Sequence, residues 1–297
     1  MAARATRSAS GAASSSEDDA SRCLLLALSH DELGVIVDGL ADPLQPVVAV
    51  ALSSTCLGLR TPLRAALEVL TERHERAVAL CRKLYKSCAQ VRGAERLVGR
   101  LVAAADMATL GMILQTNGLL RLHELHLSDN DFDDAGVQAL CEGLGRGAAP
   151  SLLFLGLSSN KFGPAGAESL AAALGRGAFP QIESLNLYRN PISNQGVAAL
   201  AAPLRKLPAL NQLLLSGCEI GDEGVASLVD NLGKDDFKAL EKLWLDHNKI
   251  TDAGVAKLLA ALDAGGLPKL ANPLLHDSPA SAVAVEAVKH ALAKRSQ

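Results

Sequence analysis

The sequence predicts an α/β solenoid, a stack of short strand–helix units that follows an all-α module. Five copies of one unit begin at Leu122, Leu152, Ile182, Leu210 and Leu240, with steps of 30, 30, 28 and 30 residues. A fixed period of this length is typical of a solenoid. Apolar residues alternate in the first part of each copy, as in a half-buried strand, and recur with helical spacing in the second part.

The first part of each copy reads L-x-x-L-x-L-x-x-N-x-[L/I/F]. In the first copy this frame is carried by Leu122, Leu125, Leu127, Asn130 and Phe132. The frame resembles the leucine-rich repeat, and the length and helical second part are similar to the ribonuclease-inhibitor-like class. The resemblance implies a right-handed solenoid in which the asparagine bonds backbone groups inside the turn, with Cys218 as a known replacement. It indicates architecture far better than function.

The second part of each copy predicts a helix with one buried stripe. Val137, Leu140 and Leu144 follow a glycine at positions i, i+3 and i+7. The residues two positions before each glycine suit an N-cap or first helical position, and they are Asp134, Pro164, Asn194, Asp222 and Asp252. One copy cannot bury its stripe alone, so the copies must stack.

Both ends of the array depart from the frame. Ala94–Thr116 is predicted to be a half-repeat, with a helix but no clear strand. Near the other end Leu270 keeps the frame, whereas Pro273 stands where a strand leucine is expected. Ala282–Lys294 is predicted to be a terminal cap helix. We therefore assign residues 101–297 to the solenoid and its caps.

Residues 1–22 and 23–60 form two further segments. The first is rich in Ser and Ala and is predicted to be a disordered tail; an organelle transit peptide has the same composition. The second resembles the F-box, a trio of helices that docks on the Skp1 adaptor of cullin–RING ubiquitin ligases. Its adaptor-binding positions would be Leu28, Leu33, Ile36, Leu52 and Leu59.

Two departures weaken the F-box resemblance. Ser29 stands where the family usually has proline, and the link through Pro43 and Pro46 is longer than usual. The alternative is a plain helical cap, which an open repeat array needs.

Residues 61–100 are predicted to be a helical connector, with helix over Thr61–Gly99. Its apolar stripe includes Leu70, Leu84 and Tyr85. Between Arg60 and Arg100, both included, the sequence has ten basic residues and four glutamates. Because aromatic interleaving is missing, this pattern favours a solvated helix face over nucleic-acid binding.

Composition argues for a non-catalytic intracellular protein. The net charge of −3 gives no field that points to nucleic acid or an acidic membrane. The six cysteines are scattered without a C-x-x-C pair, which favours reduced thiols in the cytoplasm or nucleus. No apolar run is long enough to span a membrane. We expect a monomer.

Motifs for catalysis, cofactors or metals are not found. His123 and His126 flank Glu124 without metal-ligand spacing. Gly143–Gly147 is glycine-rich, but it follows a helix, whereas a phosphate loop opens one. We therefore predict no enzyme, cofactor or metal. A leucine-rich-repeat activator of Ran-type GTPases is the minority alternative, and its acidic tail and longer arc are missing here.

The remaining prediction is protein recognition on the concave wall of the array. Side chains that flank the strand leucines face outward, and the predicted contacts are Glu124, His126, Asp129, Phe154, Tyr188, Arg189, Leu214, Lys242, Trp244, Asp246 and His247. Trp, Tyr and Arg dominate binding energy at interfaces. The bound protein would be a ubiquitin-ligase substrate if the F-box resemblance holds, and otherwise the partner of a plain scaffold.

Overall fold

The computed structural model describes residues 32–33, 35–36, 40–55, 63–117, 119–142, 144–145 and 147–295. These residues fall into two compact units, divided between His74 and Glu75. The predicted tail at residues 1–22 lies outside the described residues.

The N-terminal unit contains α1 (Val47–Thr55) and the first part of α2 (Arg64–Lys83). A small apolar core joins these segments, and its buried members are Leu33, Ala41, Ala49, Leu63 and Leu70. The turn that precedes α1 is also linked to α2, because Nδ1 of His74 lies 2.7 Å from the carbonyl oxygen of Pro43. A core of this size contains little apolar surface, so the unit depends on each of its few contacts.

The second unit opens with the rest of α2, continues with α3 (Cys88–Arg92) and then alternates strands with helices. The strands are β1 (Arg96–Val98), β2 (Glu124–His126), β3 (Phe154–Gly156), β4 (Ser184–Asn186), β5 (Gln212–Leu214), β6 (Lys242–Trp244) and β7 (Asn272–Leu274). The helices are α4 (Ala104–Asn117), α5 (Asp134–Cys141), α6 (Pro164–Gly175), α7 (Ser193–Arg205), α8 (Asp222–Val229), α9 (Asp252–Asp263) and α10 (Ala282–Arg295). The strands form one parallel sheet in chain order.

Each of the five predicted copies contains one strand and one helix, which confirms the α/β repeat. The central residues of neighbouring strands are in register, so that Leu125, Leu155, Leu185 and Leu213 form a buried row. Neighbouring strands lie about 4.8 Å apart, whereas packed helices need about 8–10 Å. An array of one strand and one helix per turn must therefore curve with its strands on the concave side.

The prediction of helix up to Gly99 is wrong, and so is that of a first cap without a strand. Helix α2 ends at Lys83 because Tyr85 adopts a left-handed conformation with φ 53°, and the Lys86 N–H then donates to the carbonyl of Cys81. Strand β1 follows, with Leu97 paired to Leu125 and fully buried. The sheet thus begins at Arg96, before the predicted boundary at residue 101. Tyr85 lies outside the helical stripe and is 79% exposed.

The C-terminal end of the array follows the prediction more closely. Helix α10 begins at Ala282, where the cap helix was expected. Pro273 lies within β7 and pairs with Leu243 of β6. A proline is tolerated there because β7 is an edge strand of the sheet and needs no hydrogen-bond donor on its open side.

A ladder of asparagines holds successive turns together after the strands, as predicted. The Asn190 Nδ2 group donates to the carbonyls of Leu157 and Leu187, and its Oδ1 accepts from the Asn160 N–H. The Nδ2 groups of Asn130, Asn160 and Asn248 donate in the same way to a carbonyl of the preceding turn, at Gly99, Leu127 and Leu215. At the fifth turn the thiol of Cys218 donates to the Leu187 carbonyl at 3.2 Å, so cysteine replaces the donor but supplies no carbonyl acceptor.

The polar residues at the first helical position cap the next helix rather than their own. The carboxylate of Asp134 accepts from the backbone N–H groups of Gly163 and Gly166, at the start of α6. Asp222 accepts in the same way from Thr251 and Gly254. A Cβ on Gly254 would lie 2.4 Å from Asp222 Oδ1, and a Cβ on Gly166 would lie 2.8 Å from Asp134 Oδ1, so glycine leaves room for the carboxylate at these two positions. The negative carboxylate also complements the positive end of the helix dipole.

Candidate protein-binding surface

The strand face is the candidate functional surface. We use this name for the side chains that flank the central residue of each strand, together with the two residues at the third and fourth positions after that central residue. Most predicted contacts lie there and are half-buried, namely Glu124, His126, Phe154, Tyr188, Leu214, Lys242 and Trp244. Asp129, Arg189 and His247 are exposed, whereas Asp246 is buried. From β2 to β6 the strand face extends about 19 Å, which is four strand spacings.

Its N-terminal part is a polar and aromatic network. Glu124 Oε2 lies 2.9 Å from His126 Nε2 and 3.2 Å from Arg96 Nε. The ring of Phe154 stacks on His126 with centroids 4.6 Å apart. The hydrogen bond with His126, more than the nearby charge of Arg96, holds the pKa of Glu124 below its usual value. The Glu124 carboxylate therefore stays charged to a lower pH than an ordinary glutamate does.

A groove of about 570 Å³ opens beside this network. Its lining includes Tyr85, Val98, Arg100, Leu101 and His126. Tyr85 and Leu101 are 79% and 85% exposed, which is unusual for large apolar side chains. Our sequence prediction omitted both, although Leu101 could have been found by stepping back 28 residues from Asp129. We call this feature the N-terminal groove.

The backbone conformation at Leu101 adds to the significance of the exposure of its side chain. The position that Leu101 occupies has a left-handed backbone in every turn, with φ between 52° and 64° from Leu101 to Asp277. Asp, Asn and Gly tolerate this conformation, whereas a branched apolar residue is sterically disfavoured there. At this site leucine is neither buried nor in a favourable backbone conformation, so folding stability does not explain its presence.

The middle of the strand face carries the predicted aromatic–basic pair. The Arg189 guanidinium lies over the Tyr188 ring, 4.9 Å from its centroid, in a cation–π arrangement. This contact restrains two long side chains in one orientation. Restraint of this kind reduces the entropy lost on binding.

Near the C-terminal end of the strand face, Trp244 is partly enclosed by the surrounding protein. Its residue is half-buried, and its indole Nε1 is buried without a hydrogen-bond partner among the described residues. In the sheet register Trp244 lies between Leu214 and Leu274. The prediction of a freely projecting anchor is therefore only partly matched, because the polar tip of the indole points inward.

The five predicted adaptor-binding residues are placed unevenly. Leu28 and Leu59 lie outside the described residues, as does the side chain of Leu52. Ile36 is half-buried, and Leu33 is buried in the core of the N-terminal unit. A free apolar contact at Leu33 is therefore not supported by this structure.

Other apolar side chains of the N-terminal unit are exposed instead. Val35, Val47, Val48 and Val50 have 49–72% of their surface in solvent. Three of them lie on α1, whose sequence is apolar on several sides. These valines are among the exposed apolar residues that the structure describes in this unit.

Comparison with known families agrees with the repeats. The Leucine Rich repeat family matches residues 122–141, 148–171, 181–201, 207–229 and 239–259. The matched segments coincide with the five predicted copies, so these copies are similar to leucine-rich repeats. No curated protein shows significant similarity to this chain.

Solved structures with similar folds are distant. The ectodomain of the Arabidopsis receptor kinase HAESA, in complex with an N-terminally extended IDA peptide hormone, is 17% identical with a TM-score of 0.28. The match covers 62% of this chain and 35% of that one, so the chain spans about a third of the HAESA ectodomain. An internalin from Listeria monocytogenes is 13% identical with a TM-score of 0.29, over 73% of this chain and 92% of that chain. Similarities this low say nothing about what this chain binds.

Among the described residues, no helix is both long enough and apolar enough to cross a membrane.

Proposed function

We propose that this protein is a non-catalytic recognition module whose strand face binds another protein, anchored in the N-terminal groove. The observation that carries the proposal is the exposure of Tyr85 and Leu101 beside that groove. Large apolar side chains are placed in solvent at the same edge of the sheet, next to the polar network of Glu124 and His126. An apolar centre with a polar surround is the usual make-up of a protein interface.

The strand face suits a protein rather than a small ligand. Its candidate anchors extend from the N-terminal groove through Tyr188 and Arg189 to Trp244. Spacing of this order favours a partner that contacts several turns at once, and a few aromatic and arginine side chains then supply most of the binding energy. On this proposal the repeats are of the ribonuclease-inhibitor-like type, and the protein acts as an intracellular monomer.

Leu101→Asp is the sharpest test, because Asp129 occupies the same position in the next turn. Aspartate tolerates the left-handed backbone, so the variant should be as stable as the wild type or slightly more stable. Partners captured by the tagged wild-type chain should be lost, as measured by quantitative mass spectrometry. Val283→Asp is the matched control, since Val283 is 80% exposed on α10, away from the strand face. A partner set that survives Leu101→Asp and Tyr85→Ser contradicts the proposal.

A second candidate function concerns the N-terminal unit. We propose that its exposed valines contact a Skp1-type adaptor, which would make the protein a substrate receptor of a ubiquitin ligase. The exposure of Val47 and Val48 on α1 favours this reading. The purified adaptor should bind the wild-type chain, and the double variant Val47→Asp, Val48→Asp should lose that binding. Val69→Asp, on the exposed side of α2, serves as the control. A folded chain that binds no adaptor would leave a plain recognition scaffold.

A further inference from the structure

We infer that the last two turns of the array form a binding site for a divalent transition-metal ion, with zinc as its representative. Two imidazoles and two carboxylates converge there. Their ligand atoms are Asp246 Oδ2, His247 Nε2, His276 Nε2 and Asp277 Oδ2. We call this group the His–Asp cluster. The inference does not rest on the proposed protein-binding function, although Asp246 and His247 also belong to the strand face.

The repeat frame brings these four side chains together. Asp246 and His247 occupy the third and fourth positions after the centre of β6, and His276 and Asp277 occupy the same positions after β7, 30 residues later. The order of aspartate and histidine is therefore reversed between the two turns. Each histidine has one carboxylate beside it in its own turn and another in the neighbouring turn. The backbone fixes this arrangement, since the His247 N–H donates to the His276 carbonyl at 3.1 Å.

The distances suit a small ion. His247 Nε2 lies 3.7 Å from Asp246 Oδ2 and 3.6 Å from Asp277 Oδ2. His276 Nε2 lies 3.7 Å from each of the same two oxygens. In a tetrahedral zinc site with bonds of about 2.0–2.1 Å, neighbouring ligand atoms are about 3.3–3.4 Å apart. These four nitrogen–oxygen distances need to contract by only a few tenths of an ångström. The ligand atoms of Asp246, His247 and His276 lie within 4.8 Å of one another, so these three residues could hold the ion, with Asp277 beside both imidazoles.

The most buried ligand is also oriented by a second bond. Asp246 is 7% exposed, and its Oδ1 accepts a hydrogen bond of 2.5 Å from the Ser216 hydroxyl. The other oxygen, Oδ2, is thereby turned toward both imidazoles. A ligand carboxylate that is held by an outer hydrogen bond is typical of metal sites. The side chains of His247 and His276 are 52% and 56% exposed, which leaves a path for an ion to enter.

The ligand chemistry selects the class of ion. Imidazole nitrogens favour zinc, copper and nickel, whereas calcium and magnesium favour sites made only of oxygen. Asp246, His247 and His276 also form the group whose ligand atoms all lie within 4.8 Å of one another, so three ligands are already assembled. A bound ion would link the turn after β6 to the turn after β7.

Zinc titration of the chelator-treated full-length chain tests the inference, with isothermal titration calorimetry as the readout. We expect one zinc ion per chain, at least tenfold weaker affinity in His247→Gln and His276→Gln, and a rise in Tm with zinc that neither variant shows. His123→Gln, an exposed histidine outside the cluster, should bind zinc like the wild type.

A second candidate zinc site has to be distinguished from the His–Asp cluster. Cys81 and Cys88 have their sulfur atoms 3.4 Å apart and could hold zinc by themselves. Cys88→Ser should leave zinc affinity unchanged if the His–Asp cluster is the site. The inference is overturned if Cys88→Ser abolishes binding, if the double variant His247→Gln, His276→Gln still binds like the wild type, or if the wild-type chain binds no zinc.

Discussion

The inner and outer turns of the repeat array share one backbone frame but carry different side chains at the same positions. At the third and fourth positions after the strand centre, inner turns carry Ser158–Ser159 and Ser216–Gly217, whereas the outermost turns carry Arg100–Leu101 and His276–Asp277. The inner serines bond along the array, as the 2.8 Å contact from Ser158 Oγ to Ser128 Oγ shows. Side chains that could contact a partner therefore lie at both ends of the array, in addition to Tyr188 and Arg189 in its middle.

This difference separates residues that stack the turns from residues that are free for recognition. In the inner turns almost every frame residue has a neighbour on both sides, so a substitution affects two interfaces. At the end turns one side is open, and side chains there can change with less effect on folding. Variants of the inner frame should therefore alter stability, while variants of the end turns should alter binding.

The largest effect is expected from Leu185→Ala in β4. Leu185 lies in the buried row with a strand on each side, and its truncation should cost about 2–5 kcal/mol of unfolding free energy. Leu274→Ala, at the half-buried end strand, should cost clearly less. Urea denaturation of both variants gives the comparison. A cost below 1 kcal/mol for Leu185→Ala, or equal costs for the two, would contradict the assignment of Leu185 to the buried row and of Leu274 to a half-buried flanking position of the end strand.

The inner frame could be predicted from the sequence because its signal is local and repeated. Leucine at alternate positions, asparagine at the turn and glycine in the helix each recur with a fixed spacing, and each has one structural role. The strand β1 was missed because only Leu97 of its residues carries the frame leucine, while the preceding segment is rich in helix-forming residues. Pairing with β2 decides its conformation, and pairing is not visible in a single segment.

Asn190→Ala should have the next largest effect. It removes an amide that is fully buried and that bonds the carbonyls of Leu157 and Leu187. Each carbonyl would keep one partner, Asn160 Nδ2 for Leu157 and the Cys218 thiol for Leu187, whereas the buried Asn160 N–H would lose its acceptor, at a cost of about 1–3 kcal/mol.

Cys218→Ala is the matched comparison, because the thiol is a weak donor at the same position of another turn. Its burial raises the pKa of Cys218 to about 12, so the group stays a neutral thiol at physiological pH. Thermal unfolding should therefore show a smaller loss for Cys218→Ala. Equal losses would mean that side-chain volume, rather than hydrogen bonding, dominates at this position.

A smaller and pH-dependent effect is expected at Asp222, which caps α9. Burial raises its pKa, but the hydrogen bonds from Thr251 and Gly254 outweigh burial and hold the pKa below the ordinary value of 3.8. A lowered folded-state pKa stabilises the fold above the unfolded-state pKa, and this contribution is lost as pH falls through the folded-state value.

Asp222→Asn should cost about 1 kcal/mol near neutral pH, and its difference from the wild type should shrink as pH falls below 3.8. Chemical denaturation at several pH values measures this difference. Asp263→Asn, exposed at the end of α9, is the control and should follow the wild type throughout. A difference that is constant with pH would show that charge is not the source of the cap's stability.

The candidate site was less predictable than the fold, for a physical reason. The outward columns could be assigned from strand alternation, but their contacts depend on neighbours 28–30 residues away. His247 was predicted as a wall residue, whereas His276 was not, because Pro273 interrupted the visible frame. Only the register of β6 and β7 brings the two histidines together. Leu101 was missed at the other end in the same way.

The smallest effect on folding is expected from Trp244→Phe. Because the indole Nε1 is buried without a partner among the described residues, its loss removes an unsatisfied donor and should change stability by less than about 1 kcal/mol. Trp244→Ala should cost more than Trp244→Phe, since it also removes the half-buried ring. If Trp244 is a binding anchor, both variants should weaken partner capture, whereas Phe should retain part of it through its apolar surface. Thermal unfolding and capture on the same preparations separate the two roles. A loss of stability in Trp244→Phe as large as that in Leu185→Ala would assign Trp244 to the frame that stacks the turns, and the strand face would then lose its C-terminal anchor.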